Sequence, residues 1–304
     1  MKRIKELLNS GKFIVTYEPN SPAGFIIEEN IISETALRKI DGFGIYSNPR
    51  GRPKLDSFVY GWKLMKDYEK DVIVNLRIQD CTVPLLQSTL WGGHLLGIRN
   101  ILIVTGDYCL GSPFLINVTE GITGVRKYLN NGHLIPPLEG KTKRYHNRYL
   151  EENLPPGERA KGKTDFFIGA ALTIGRKGEK KMYQKKLEGG VQFFITQLAY
   201  DSKTIIKFLE EMCPPVPILV GTAPINSIKR VEFLKKLGVS GLTKEKIKML
   251  KEAKDIRKKS VETAVEMYHE LRDFAKSNGC MVGAHVMSIK SPEDTMKIIE
   301  KIER

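Results

Sequence analysis

Short apolar runs recur along this chain, and stretches with helical spacing fill the intervals between them. Eight runs rich in Val, Ile and Phe stand at 13–18, 42–47, 72–77, 101–105, 166–172, 193–197, 217–222 and 281–287. Their near-continuous hydrophobicity predicts parallel strands buried on both faces. Between them, apolar residues return every three or four positions. In 258–276, Val261, Ala264, Val265, Tyr268, Leu271 and Ala275 fall on one stripe, with Lys, Glu and Arg elsewhere, which predicts an amphipathic helix. A last helix is expected over Pro292–Ile302. Eight strand–helix repeats predict a (β/α)8 TIM barrel, an α/β fold, as a single domain over 1–304.

One region breaks the rhythm. Residues 131–164 hold Pro136-Pro137, Pro155-Pro156, several glycines and many charges. A stretch of this kind reads as a long insertion before the fifth strand, a functional lid or a mobile loop.

Polar groups stand where three of the strands run out. Phe13-Ile14-Val15-Thr16-Tyr17 ends in Glu18, Ile101 to Thr105 runs through Gly106 to Asp107 and Tyr108, and Phe193-Phe194-Ile195-Thr196 ends in Gln197. Barrels of this class place their chemistry at the C-terminal strand ends, so these three residues are the first candidates. A surface glutamate, a helix N-cap and a rim hydrogen bond are the bland alternatives for Glu18, Asp107 and Gln197 respectively.

Composition narrows the partners. The chain has 304 residues and a net charge of +14. A lysine-rich solvated surface accounts for such a charge, and so does attraction of a polyanionic small molecule such as a dinucleotide or a polyglutamylated cofactor. No nucleic-acid-binding signature accompanies it, so no nucleic-acid partner is expected. No run of about 18 apolar residues exists, and Met1-Lys2-Arg3-Ile4-Lys5-Glu6 does not look like a secretory leader, so neither a membrane span nor export is expected. Cys81, Cys109, Cys213 and Cys280 lie far apart without ligand spacing, which argues against a disulfide framework and a metal site and favours the cytoplasm.

Several apparent signals carry little. Gly157-Glu158-Arg159-Ala160-Lys161-Gly162-Lys163-Thr164 matches the phosphate-loop pattern by letter, but a charged loop precedes it and a strand follows, the reverse of the required order. No G-x-G-x-x-G is present to anchor a dinucleotide fold. The sequon Asn117-Val118-Thr119 has no role in a cytoplasmic protein. His94 reads as a packed or surface histidine, His285 as either a rim or a structural one, and Trp62 and Trp91 as core or helix–helix contacts.

Taken in order, the segments resemble the methylenetetrahydrofolate reductase family. Val15-Thr16-Tyr17-Glu18 with Pro19 and Pro22, Ser47-Asn48-Pro49-Arg50-Gly51, and Leu86-Gln87-Ser88 through Gly97-Ile98-Arg99-Asn100-Ile101-Leu102 to Thr105-Gly106-Asp107 carry the likeness. So do Phe167-Ile168-Gly169-Ala170-Ala171, Phe194-Ile195-Thr196-Gln197 with Tyr200-Asp201, and Gly283-Ala284-His285. The resemblance implies a cytoplasmic flavoprotein of one-carbon metabolism, with FAD, or FMN, as cofactor. It implies reduction of 5,10-methylene-tetrahydrofolate, or of an archaeal-type pterin, to the 5-methyl form.

In that reading Glu18 is the general acid and Asp107 stabilises the cationic iminium, and with Gln197 these bind the pterin. Tyr46, Asn75, Asp107, Ala170, Leu172 and Lys186 are the implied flavin contacts, Ala170 and Leu172 through their backbone, although a solvated basic helix face (Lys180, Lys181, Lys185, Lys186) explains Lys186 equally well. The chain departs from many relatives at Asn75-Leu76-Arg77-Ile78-Gln79-Asp80, at Tyr46-Ser47, and at Ile228, where some relatives hold an aromatic. The electron donor is accordingly either NAD(P)H or a partner subunit, and a homo-oligomer is expected. The alternative is a family-like pterin-binding subunit or methyltransferase-type barrel that depends on a partner protein.

Overall fold

A computed structural model describes residues 3–27, 32–107, 109, 111–136, 159–237 and 239–303. Tyr108 and most of the Pro-rich insertion, with the first two residues of the phosphate-loop look-alike, lie outside the described residues. Eight strands pair in sequence order, all parallel, and the last closes on the first. They are β1 (Val15–Glu18), β2 (Gly42–Ile45), β3 (Asp71–Arg77), β4 (Asn100–Val104), β5 (Phe167–Leu172), β6 (Phe193–Thr196), β7 (Ile218–Thr222) and β8 (Val282–Met287). Each coincides with an expected apolar run to within two residues at either end, and the fold is the expected (β/α)8 barrel.

Residues of one parity fill the lumen and those of the other pack outward. Ile14, Ile73, Leu102, Phe167, Phe193, Ile195 and Leu219 form the inner cluster. Val15, Tyr17, Phe43, Val72, Val74, Ile101, Ile168, Ala170, Leu172, Val220 and Val286 belong to the outer one, under the helices. Burial on both faces is what made the strands read as continuous apolar runs.

The helices include α1 (Ile4–Asn9), which lies outside the ring, and the ring helices α2 (Glu34–Lys39), α3 (Ser57–Tyr68), α4 (Val83–Leu95), α5 (Val118–Thr123) and α6 (Glu179–Glu188). They continue with α7 (Ser202–Met212), α8 (Ile228–Leu237), α9 (Lys244–Glu252), α10 (Ile256–Asn278) and α11 (Pro292–Lys301). The expected stripe on α10 is buried, and the helix is capped by Asp255 at its start and by left-handed Gly279 at its end. The Tyr268 hydroxyl donates to the Val220 carbonyl at 2.9 Å, which ties α10 to the barrel wall. Two helices, α8 and α9, precede α10 in the β7–β8 crossover, and a separate small cluster of Tyr200, Ile225, Val231, Leu234 and Leu250 packs them. Trp62 and Trp91 are not core contacts, being 36% and 41% exposed on the outer faces of α3 and α4. No helix among the described residues is long and apolar enough to cross a membrane.

Helix α1 plugs the N-terminal end of the barrel. Ile4 and Leu8 insert into the inner cluster, and the missing side chain of Gly42 makes room, since a Cβ there would lie 2.5 Å from Ile4 Cδ1. The plug is fastened by Asp71, which is fully buried at the start of β3. Its Oδ2 accepts from the Ile4 amide and the Asn100 side-chain amide, each at 2.9 Å, and Arg3 lies 3.6 Å from Oδ1. With this end sealed, the open face is the one where the strands terminate. Replacing Asp71 by Ala strands two buried donors, and we expect a loss of roughly 3 kcal/mol, read as a lower urea midpoint.

Candidate active site at the barrel rim

Period-two alternation decides which side chains reach the open end. Glu18 continues the inward series Ile14, Thr16 on β1; Asn75 and Arg77 continue Ile73 on β3; Ala171 follows Phe167 and Gly169 on β5; Gln197 follows Phe193 and Ile195 on β6. Tyr46, Asn75, Arg77, Asp107, Ala171, Lys186 and Gln197 line one cavity of 940 Å³.

Glu18 is nearly buried, at 9% exposure, which removes the surface-glutamate alternative. Its Oε2 lies 3.4 Å from His285 Nε2, a long contact inside the lumen. On the other side of the ring, Nδ1 is 2.8 Å from Thr16 Oγ1, and the Thr16 hydroxyl reaches the Ala284 carbonyl at 3.1 Å. With the hydroxyl proton on that carbonyl, Nδ1–H donates to Thr16 and Nε2 is the nitrogen turned to Glu18. The ring has space because β2 carries Gly44 opposite it, where a Cβ would stand 2.4 Å from His285 Cε1. His285 is therefore both rim-facing and structural. Next to this pair, Tyr46 accepts the Ser21 amide at 2.8 Å. Burial, and secondarily the Glu18 carboxylate, push its hydroxyl above the usual tyrosine value.

Asp107 does not cap a helix; Asn117 does so for α5, in a capping box with Glu120. Instead the Asp107 carboxylate accepts the Arg50 amide at 2.6 Å, across from the loop after β2. Its carbonyl is held by Arg77 Nη2 at 3.0 Å and by the Gln79 side-chain amide. These donors explain Gly106, which sits at φ 92° and where a Cβ would lie 2.7 Å from Arg77 Nε. Arg77 and Gln79 were not singled out from the sequence. The available signal was a charged residue two positions beyond Asn75 in a strand buried on both faces.

Lys186 is buried rather than on a solvated face. Its Nζ donates to the Ala171 carbonyl at 2.6 Å and lies 3.4 Å from Glu179 Oε1. Burial lowers its ammonium below the ordinary lysine value, and Glu179 pulls it partly back. Among the neighbouring cations, Arg176 and Lys185 also line the cavity. At the two β5 positions, which the resemblance implies as backbone contacts, the side chains turn away from the cavity. Ala170 and Leu172 point into the outer core, fully buried, while Ala171 and Thr173 line the cavity. An apolar run buried on both faces does not announce which parity is inward. Gln197 is exposed and faces the cavity, its backbone N–H donating to the Leu172 carbonyl at 2.8 Å. His94 pairs with Asp165 at 2.8 Å on the outer surface, away from this site. Among the described residues no group of His, Cys, Asp and Glu could hold a metal ion.

Fold and site together define a parallel (β/α)8 barrel with a polar cavity at its C-terminal rim. The family model described as methylenetetrahydrofolate reductase matches residues 175–303, from just before α6 to the penultimate residue, less than half of the chain. A solved structure described as an uncharacterized protein from Clostridium thermocellum that binds two copies of 5-methyl-5,6,7,8-tetrahydrofolic acid matches over nearly the whole length. It covers 99% of this chain and 98% of that one, at 18% identity and a TM-score of 0.63, which shows a shared fold. N-(5'-phosphoribosyl)anthranilate isomerase from Pyrococcus furiosus matches at 9% identity, covering 96% and 98%, with a TM-score of 0.44.

The packing of His285 over Gly44 is testable. Gly44→Ala should cost about 1–3 kcal/mol through overpacking, and His285→Ala in the same chain should recover much of that loss. Chemical denaturation of the single and double variants checks this, and strict additivity would show that the ring is not what the Cβ meets.

Proposed function

We propose that this protein is a flavin-dependent reductase that converts 5,10-methylene-tetrahydrofolate, or a related tetrahydropterin, to its 5-methyl form. The observation that carries the reading is the convergence of Glu18, Asp107 and Gln197, remote in the chain, on one rim, with Asp107 and Gln197 lining a single cavity. The family match and the folate bound by the Clostridium thermocellum protein agree with it.

The cavity suits a flavin on size and charge. Its 940 Å³ lies near the upper end of ligand pockets, roughly 300–1,000 Å³. Arg176, Lys185 and Lys186 gather cations on one wall for a phosphate-bearing tail, and Tyr46, Asn75, Ala171 and Thr173 offer a mixed polar and apolar wall for the ring system. Reduced flavin, when bound, supplies the hydride that turns the methylene carbon into a methyl group.

The chain's own groups manage the proton and the charge. Opening the methylene bridge to an iminium requires a proton on the leaving nitrogen. Glu18 can deliver it, with His285 at 3.4 Å as the adjoining proton site. Asp107 uses Oδ2 to hold Arg50, which leaves Oδ1 to stabilise the iminium cation. The Gln197 amide carries a donor and an acceptor for the pterin ring edge. NADH, NADPH or a partner subunit serves as electron donor in this proposal.

A second reading is a folate-binding barrel without redox chemistry. The absence of an aromatic at Ile228 favours it. An anaerobic visible spectrum of the purified protein before and after NADH separates the two: a yellow protein that bleaches supports the reductase, and a colourless one that binds 5-methyl-tetrahydrofolate supports the binder. If the reductase reading holds, Glu18→Gln should keep flavin reduction yet lower pterin reduction by about 100-fold or more in stopped-flow assays. Normal pterin turnover in that variant would remove Glu18 as the acid.

A further inference from the structure

Two guanidinium groups meet on one aromatic ring at the outer edge of the mouth. Arg50, in the loop after β2, places Cζ 4.6 Å from the centre of the Phe233 ring on α8. Arg230, one turn earlier on the same helix, places Cζ 5.4 Å from the same centre. Neither has a carboxylate partner among the described residues. Burial lowers the Arg230 guanidinium from its usual value, and its charge reaches the Tyr200 hydroxyl while being opposed by Arg50. That hydroxyl is buried and without a hydrogen-bond partner among the described residues. Glu232, the nearest acid in sequence on α8, is paired with Lys251.

The backbone holds Arg50 there at a cost. Asn48 and Arg50 both adopt left-handed φ values, 40° and 57°, which non-glycine residues avoid. The strained loop is pinned at three points. Arg77 grips the Asn48 carbonyl, the Asn48 side chain accepts the Lys54 amide at 2.8 Å, and the Arg50 amide is bound by Asp107. A surface arginine that only needs solvation requires none of this. Two like charges brought together from separate crossovers, on a ring, with no counter-ion among the described residues, form a receptor for an anion.

We propose that Arg50, Arg230 and Phe233 form a subsite for the carboxylates of a glutamate-type tail carried by the pterin substrate. The assignment rests on the reading of the cavity as a pterin site. Pro49 lines that cavity and Arg50 follows it directly, so the subsite begins where the cavity ends. A ligand seated with its reactive end at Glu18 and Asp107 projects its distal end outward past this edge. The cavity wall has its own cations, Arg176, Lys185 and Lys186, for phosphate, which leaves the outer pair for a second kind of anion.

Calorimetric titration at low salt tests the subsite with p-aminobenzoyl-triglutamate, which has the tail and no pterin. The full chain should bind it, and Arg50→Gln/Arg230→Gln should bind it at least about 10-fold more weakly. Arg230→Lys should recover only part of the affinity, because the ammonium lacks the planar fork. Arg38→Gln, at an exposed position elsewhere, controls for the lost charge. Equal affinity in the wild type and the double variant would overturn the proposal. So would a loss confined to inorganic pyrophosphate, which would make the pair a phosphate site. Triglutamate binding that depends on the two arginines, in a chain that binds no reduced folate, would sink the pterin reading while leaving the subsite. Folate reduction indifferent to the arginines would do the reverse.

Discussion

Closure of the barrel is the constraint on which the rest depends. Once β8 pairs with β1, no strand can slip by one residue without turning its whole inward set outward. The lumen series then runs from the apolar plug at one end to polar groups at the other. Asp71 and α1 seal the first end, so the second end alone is open. Glu18, Asn75, Arg77 and Gln197 are rim residues because they continue inward series whose lower members are Ile14, Ile73 and Ile195.

Glycines at three points convert this frame into a site. Gly42 admits the plug, Gly44 admits the His285 ring, and Gly106 lets Arg77 and Gln79 approach the strand end. In each case the missing Cβ is filled by another residue's side chain, so the space is occupied rather than empty. The consequence for Asp107 is a fixed backbone: its carbonyl is held from β3 and its carboxylate spans to the β2 loop. A carboxylate held this way has little freedom to follow its ligand. This suits the role proposed for Asp107, stabilising a charge that would appear at one place, since preorganised groups need not reorient.

Most of the fold was legible because burial on both faces writes strands as apolar runs, and amphipathic helices such as α10 write themselves as stripes. The same property hid the phase of β5. Ile168, Ala170 and Leu172 are as apolar as their neighbours, and only coordinates distinguish them from Gly169, Ala171 and Thr173. The polar strand ends were legible for the opposite reason, since Glu18, Asp107 and Gln197 stand out against apolar strands. Lys186 was ambiguous because three other lysines share its helix, and sequence does not show that this one turns inward to the Ala171 carbonyl. The contact of Arg50 with Phe233 joins residues far apart in the chain through loop geometry, and no local pattern encodes it.

The excess of positive charge takes on a different meaning in this frame. A net charge of +14 spread evenly would repel copies of the chain and attract any polyanion alike. Several of the described cations are instead spent on nearby acids: Lys63 on Asp67, Lys180 on Glu211, Lys251 on Glu232 and Arg257 on Glu293. Such exposed pairs contribute little to stability, but they reduce the field away from the mouth. The cations of the rim divide by environment. Lys186 is buried and compensated by Glu179, so it shapes the wall, whereas Arg50 and Arg230 both lie over the Phe233 ring without an acid among the described residues.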